Sequence, residues 1–227
     1  MDSQMSVTID WEYNDRTYIM EARSKDDSVY KEWVKHGSFQ ELQELETIKA
    51  LNLKGTYIDI GANVGNHSVF FATQCPCTHI VAVEPVSAFF SCFERNMARN
   101  APNCTYKAIQ TPLLSHNGFG SMQTSDVHEA ENSWAVYDNT GVMPITTLDS
   151  IGISEAALLK IDVEGSESEV IRGATKTLTN LQPVIVVELV TDGKYDEFER
   201  LVAPMNYTSD HTNLYPQGAP TYLFRRV

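Results

Sequence analysis

The chain has 227 residues, 42% of them hydrophobic, which suits one compact domain with room for a small appendage. Seventeen basic residues face thirty acidic ones, a formal charge of −13. So acidic a chain gains little from phosphate neutralisation, which makes nucleic acid an unexpected partner and otherwise serves solubility.

The start, MDSQMSVTIDWEY, lacks a basic segment followed by an apolar core, and no stretch approaches the roughly 20 apolar residues of a membrane span. A cytoplasmic chain without a signal peptide or membrane span is therefore expected. Residues 5–22 alternate around Asn14-Asp15, placing Val7, Ile9 and Trp11 opposite Tyr18 and Met20 in a predicted hairpin. Ser28 is predicted to cap a short helix that carries Val29, Tyr30, Trp33 and Val34 and closes at Gly37. Ser38-Phe39-Gln40-Glu41 reads as a capping box that starts a second helix running to about Leu51. Residues 1–52 thus form a predicted N-terminal appendage of the same domain, placed to cover a ligand cleft, and residues 53–227 the main domain.

Residues 56–72, TYIDIGANVGNHSVFFA, read as a buried strand, an acid at its end, a glycine turn and an apolar helix. Gly61 and Gly65 remove Cβ atoms where the chain must turn and meet a ligand closely. Beyond this point strand and helix periods alternate. Strands are predicted at 56–61, 79–84, 104–110, 157–163 and 183–189, and helices at 66–75, 86–100, 166–180 and 193–203. Apolar strands bounded by helices on both sides imply a parallel sheet covered on both faces. Residues 115–147 break the alternation and read as a hairpin insertion. The end offers two strands around Tyr215-Pro216-Gln217-Gly218, the last, TYLFRRV, antiparallel.

Glu84 ends the second strand, where an acid accepts hydrogen bonds from ribose hydroxyls or, more simply, precedes a helix N-terminus beside Pro85. No GxGxxG is present. Asn63 stands at the central glycine's place, and Asp59 just before the turn would repel a pyrophosphate. The loop therefore points away from NAD and an oxidoreductase, towards S-adenosylmethionine, whose amino group and sulfonium tolerate an acid. Asn63 still fits the turn, because asparagine adopts the left-handed conformation.

These residues resemble the FkbM family of S-adenosylmethionine-dependent methyltransferases. The resemblance rests on Asp59-Ile60-Gly61-Ala62-Asn63-Val64-Gly65 with Glu84-Pro85, and on Leu159-Lys160-Ile161-Asp162-Val163-Glu164-Gly165, extended by Glu169, Ile171-Arg172-Gly173-Ala174 and Glu188. It implies the α/β class I methyltransferase fold, Rossmann-like, with a seven-stranded mostly parallel sheet in the order 3-2-1-4-5-7-6 and strand 7 antiparallel. It also implies methyl transfer, usually to a hydroxyl oxygen, here of a small acceptor such as a sugar or polyketide-like metabolite. By the same resemblance, Asp59 to Gly65 hold the methionine part, with Asn66, His67 and Ser68 beside it. Glu84 and Pro85 lie at the ribose, and Thr111–Ser115 border the adenine.

Asp162 and Glu164, two apart at a strand's carboxyl end, are predicted to share a face, and Glu188 ends the next strand. One of the three is expected to take the acceptor's proton. Two other readings stand beside this one. In the first, Glu164-Gly165 only starts the following helix; in the second, Asp162, Glu164 and Glu188 bind a divalent metal. No metal ligand is assigned. His116, His128 and His211 are loop histidines that could also serve as base, and Trp33 and Trp134 are candidates for an apolar substrate wall. Lys160, mid-strand in an apolar run, is expected to pair with a carboxylate or reach the strand edge. Cys75-Pro76-Cys77 is read as a reduced pair. The alternative function is a catalytically silent S-adenosylmethionine-binding module of the same fold.

Overall fold

In the computed structural model the described residues are 6–124, 133–138, 140–189, 193–216 and 218–227. A hairpin opens the chain, with strands β1 (Val7–Tyr13) and β2 (Arg16–Ala22), followed by helices α1 (Ser28–His36) and α2 (Leu42–Ala50). Then come β3 (Gly55–Ile60), α3 (Asn66–Gln74), β4 (Cys77–Val83), α4 (Ser87–Asn100) and β5 (Thr105–Ile109). An insertion carries β6 (Gly118–Thr124), β7 (Ser133–Tyr137) and β8 (Met143–Ile145). The second half holds β9 (Leu158–Ile161), α5 (Glu167–Arg172), α6 (Thr175–Leu181), β10 (Val184–Glu188), α7 (Lys194–Val202), β11 (Tyr207–Thr208) and β12 (Thr221–Arg226).

Seven strands form the central sheet in the order β11-β12-β10-β9-β3-β4-β5. The five from β10 to β5 run parallel, and β12 is antiparallel to both β10 and β11. Alternation along each strand feeds two cores. Tyr57, Ile80, Ala82, Leu158 and Val186 face a core built with the hairpin and α1 to α4. Ile58, Val81, Leu159, Ile161 and Val187 face a second core with α5, α6 and α7. This is a class I methyltransferase architecture.

The hairpin pairs Trp11 with Tyr18 and Ile9 with Met20, as predicted. Asn14 and Asp15 both take positive φ, 49° and 57°, the twist a two-residue hairpin turn needs. The aromatic residues of the appendage sink into the first core. Trp33 is fully buried there, 5.6 Å from Trp11, so it is not a substrate wall. The side chain of Trp134 and all of His128 lie outside the described residues.

Four local predictions need correction. Asp27, not Ser28, occupies the N-cap position of α1, and its carboxylate is held by Arg23 and Ser24. The capping box does not form: Glu41 sits at the N-cap of α2 with φ 58°, and its side chain makes no capping hydrogen bond to the helix. The helix predicted over 166–180 is two helices. Gly173 divides them because a Cβ there would meet the Leu114 carbonyl oxygen at 2.1 Å, so α5 and α6 bend around that contact. The insertion is a three-stranded sheet, since β6 pairs with both β7 and β8. No helix among the described residues is long and apolar enough to cross a membrane.

Candidate functional site

A cleft of about 360 Å³ opens at the carboxyl ends of β3, β9 and β10, the edge where open α/β sheets present ligand-contacting groups. The turn after β3 forms one wall. Its backbone is folded back on β4, with the N–H groups of Gly61 and Ala62 both donating to the Val83 carbonyl at 3.0 Å. Gly61 has φ 82°, and a Cβ there would lie 1.6 Å from the Asp162 carbonyl oxygen. Only glycine lets the two strand ends approach so closely. Asn63 takes φ 50°, and its side-chain oxygen accepts the Val64 N–H at 2.7 Å. The asparagine thus supplies the left-handed turn.

Glu84 holds this turn from behind. One carboxylate oxygen accepts the Asn63 N–H at 2.9 Å and the other accepts the Val86 N–H at 2.7 Å. Burial outweighs those two bonds and pushes its pKa up to about 7. Each oxygen keeps a further lone pair for a ligand hydroxyl. Pro85 follows, half-buried.

Beneath the turn lies a charged pair. Asp59 and Lys160 are cross-strand neighbours on β3 and β9, so both point to the α3 face. Asp59 is fully buried and accepts a 2.6 Å hydrogen bond from the hydroxyl of Ser68, itself fully buried on α3. Its other oxygen has no hydrogen-bond partner and stands 3.6 Å from the Lys160 ammonium. Lys160 reaches the Asp162 carboxylate at 3.0 Å. Burial alone would lower the Lys160 pKa; Asp162, Asp59 and two glutamates outweigh it and hold the ammonium charged.

Asp162, Glu164 and Glu188 all line the cleft with Gly61, Ala62 and Asn63. The basis for grouping Asp162 with Glu164 differs from the prediction: β9 ends at Ile161, and Glu164 has φ 57°, so a loop rather than one strand face carries the pair. Just before α5, the Glu167 carboxylate accepts the Gly165 N–H at 2.6 Å. Burial, then the charge of Asp162, raises the pKa of Glu188 far above the usual carboxylate range.

The appendage supplies the opposite wall through Asp26, Ser28, Gln40 and Glu41. It is clasped there by Asn66, whose side-chain oxygen accepts the Trp33 indole N–H at 2.9 Å and the Gln40 N–H at 3.0 Å. The Asn66 amide group donates to the Gln40 carbonyl at 3.1 Å. His67, the next residue, points its Nε2 at Glu41 and Glu44. Burial lowers its pKa, and the two glutamates more than reverse that.

The structure therefore gathers Gly61, Ala62, Asn63, Asn66, His67, Asp162, Glu164 and Glu188 around one cleft. Asp59 and Ser68 lie below its surface, Gly65 starts α3, and Glu84 and Pro85 support the turn from behind. His116 is exposed beside Ser115, and His211 stacks on Tyr195 at 4.6 Å; neither lines the cleft. Lys160 was read as a charge inside an apolar strand that pairs with a carboxylate, and it does so with Asp162. The appendage residues Asp26, Ser28, Gln40 and Glu41 were not read as lining a site, and Glu41 was disguised as a capping residue. Cys75 and Cys77 are free thiols raised by burial to about 12, which fits a reduced pair.

Residues 59–214 match the model of the methyltransferase FkbM domain. The chain is 31% identical over 134 residues to the hexuronic acid methyltransferase AglP of Haloferax volcanii, covering 56% of this chain and 53% of the relative. It is 25% identical over 167 residues to methyltransferase sdnD of Sordaria araneosa, covering 58% of this chain and 64% of that one. The chain thus spans about half to two thirds of these relatives' length. Among solved structures, the FkbM methyltransferase of Methylobacillus flagellatus superposes with TM-score 0.55 at 13% identity, over 84% of this chain and 49% of that one. TYW2 of M. jannaschii, in complex with AdoMet, gives TM-score 0.51 at 11% identity, over 98% and 88% of the two chains. At these identities the structural likeness speaks for the fold.

Proposed function

The chain belongs to the FkbM methyltransferase family, and from that premise we propose that it transfers a methyl group from S-adenosylmethionine to a hydroxyl oxygen of a small acceptor. The observation that carries the reading is the composition of the cleft: a tight glycine turn faces Asp162, Glu164 and Glu188 across a space of about 360 Å³. The residues fit the cofactor. The cleft is acidic through Asp162, Glu164 and Glu188, and the turn is backed by the Glu84 carboxylate. Those features suit an ammonium, a sulfonium and ribose hydroxyls, and they disfavour a pyrophosphate. When bound, S-adenosylmethionine supplies a methyl group activated by a positively charged sulfur.

In this reading Gly61, Ala62, Asn63, Asn66 and His67 border the methionine part, and the free lone pairs of Glu84 take the ribose hydroxyls. Asp59, Ser68 and Lys160 hold the turn and the Asp162 strand end in place. Gly65 lets α3 begin close under the turn, and Pro85 leads the chain from Glu84 into α4. Glu188 or Asp162 accepts the acceptor's proton. Burial disfavours the ionised form of Glu188, and that form is the one that accepts a proton, so Glu188 acts as base when positive charge in the cleft brings its pKa back down. The appendage closes the side of the cleft and excludes water. Alignment of acceptor oxygen and methyl group by these walls contributes much of the rate, since in-line displacement is sensitive to orientation.

A hydroxylated acceptor is supported by the hexuronic acid named for the Haloferax relative. The test is a screen of sugars, sugar acids and polyketide-like alcohols with methyl-labelled S-adenosylmethionine. Label should appear in an ether of one acceptor class and fall by about 10²-fold or more in Glu188→Gln or Asp162→Asn. Cofactor binding with no acceptor turned over would favour the silent binding module instead.

A further inference from the structure

We propose that Glu41, Glu44 and His67 form a binding site for one divalent transition-metal ion on the wall between α2 and α3. One carboxylate oxygen from each glutamate and one nitrogen of His67 lie within 4.8 Å of one another. Nε2 of His67 is 3.3 Å from Glu41 and 3.7 Å from Glu44. Those approaches are not hydrogen bonds: Nε2 is buried and has no hydrogen-bond partner. The side chains are 8%, 12% and 3% exposed for His67, Glu41 and Glu44, so all three donors point inward and away from bulk water.

The local charges leave room for a cation. Lys160 pairs with Asp162 at 3.0 Å and approaches Asp59 at 3.6 Å, so among the described residues the ion-pairing partner of both Glu41 and Glu44 is the His67 ring. Buried carboxylates are compensated by cations or by metal coordination, and a divalent ion in place of the imidazole proton supplies that compensation. Two carboxylates with one imidazole suit Mn²⁺ or Zn²⁺ better than Mg²⁺, which prefers oxygen alone and retains its waters. Coordination through Nε2 places the ring proton on Nδ1 and gives up the long 3.4 Å contact from the Asn66 amide, so micromolar rather than nanomolar affinity is expected.

The experiment needs neither S-adenosylmethionine nor an acceptor, so it stands or falls apart from the methyl-transfer reading. MnCl₂ is titrated calorimetrically into the full chain, and the bound ion is examined by pulsed electron paramagnetic resonance. One ion per chain is expected, with a histidine nitrogen coupling. His67→Gln should abolish that coupling, and His67→Gln and Glu44→Gln should each weaken binding at least about tenfold. Glu41→Gln, nearer the rim, serves if either buried variant fails to fold. Absence of binding up to about 1 mM overturns the proposal. So does a bound ion with no nitrogen coupling, or one displaced by Asp162→Asn and spared by His67→Gln.

Discussion

The ammonium of Lys160 lies 3.0 Å from the carboxylate of Asp162, and this contact ties the floor of the cleft to its wall. Behind it Asp59 is fully buried and depends on Lys160 and Ser68 for compensation. Replacing Lys160 by Met leaves a buried carboxylate without a counter-charge. The expected loss is about 3–5 kcal/mol in urea unfolding, with part recovered in the Lys160→Met/Asp59→Asn double variant. A loss under about 1 kcal/mol would show that the pair is not what holds the two strand ends.

Gly61 carries a second, independent constraint. Its positive φ and the 1.6 Å that would separate a Cβ from the Asp162 carbonyl leave no room for alanine. Gly61→Ala should cost about 3 kcal/mol or more and should broaden or abolish the unfolding transition. Gly37, also at positive φ but with nothing within 4 Å of its Cβ position, is the control, expected to lose only about 1 kcal/mol. Equal losses at the two sites would mean that close approach to Asp162 does not matter.

Asn66 joins α3 to α1 and the α1–α2 connection through three hydrogen bonds, to Trp33 and to both backbone groups of Gln40. Asn66→Ala strands the indole N–H and two backbone groups. Each unsatisfied buried group costs about 1–3 kcal/mol, so the melting temperature should fall by several degrees. Proteolysis should then cut within residues 23–54 before the central sheet. A variant that melts like the parent and resists protease would show that the appendage is held by its apolar contacts alone.

Glu84 sets a pH dependence. Burial raises its pKa to about 7 in the folded protein, against about 4.3 in an unfolded chain. A carboxyl raised in this way favours folding fully below the unfolded value, and that contribution is lost as pH climbs to the folded value. Between about pH 4.3 and 7 the ligand-free protein should therefore lose stability relative to Glu84→Gln. Parallel melting curves of the two proteins across that window would contradict the shift.

Much of this was legible from residue patterns. Alternation located the hairpin and the central strands, and the glycine turn with Glu84 marked the ligand edge. What escaped was decided by tertiary contacts. Ser38-Phe39-Gln40-Glu41 has the spacing of a capping box, but Glu41 adopts φ 58° and gives its carboxylate to the cleft beside His67. Helix periodicity runs through Gly173, yet the Leu114 carbonyl occupies the space there and divides the helix. Trp33 looks like an amphipathic wall on its own helix, and only packing on Trp11 and its bond to Asn66 reveal it as core. Asp162 and Glu164 meet the cleft through a left-handed residue that no two-residue period could foretell.

The claim that the cleft is built for S-adenosylmethionine is tested most directly by calorimetry on the full chain. S-adenosylmethionine and S-adenosylhomocysteine should each bind once, with micromolar Kd, and Glu84→Ala should weaken both by about tenfold or more while the protein remains folded. NADH should give no heat. Failure of both adenosyl ligands to bind at about 1 mM, or affinities unchanged in folded Glu84→Ala, would contradict the account.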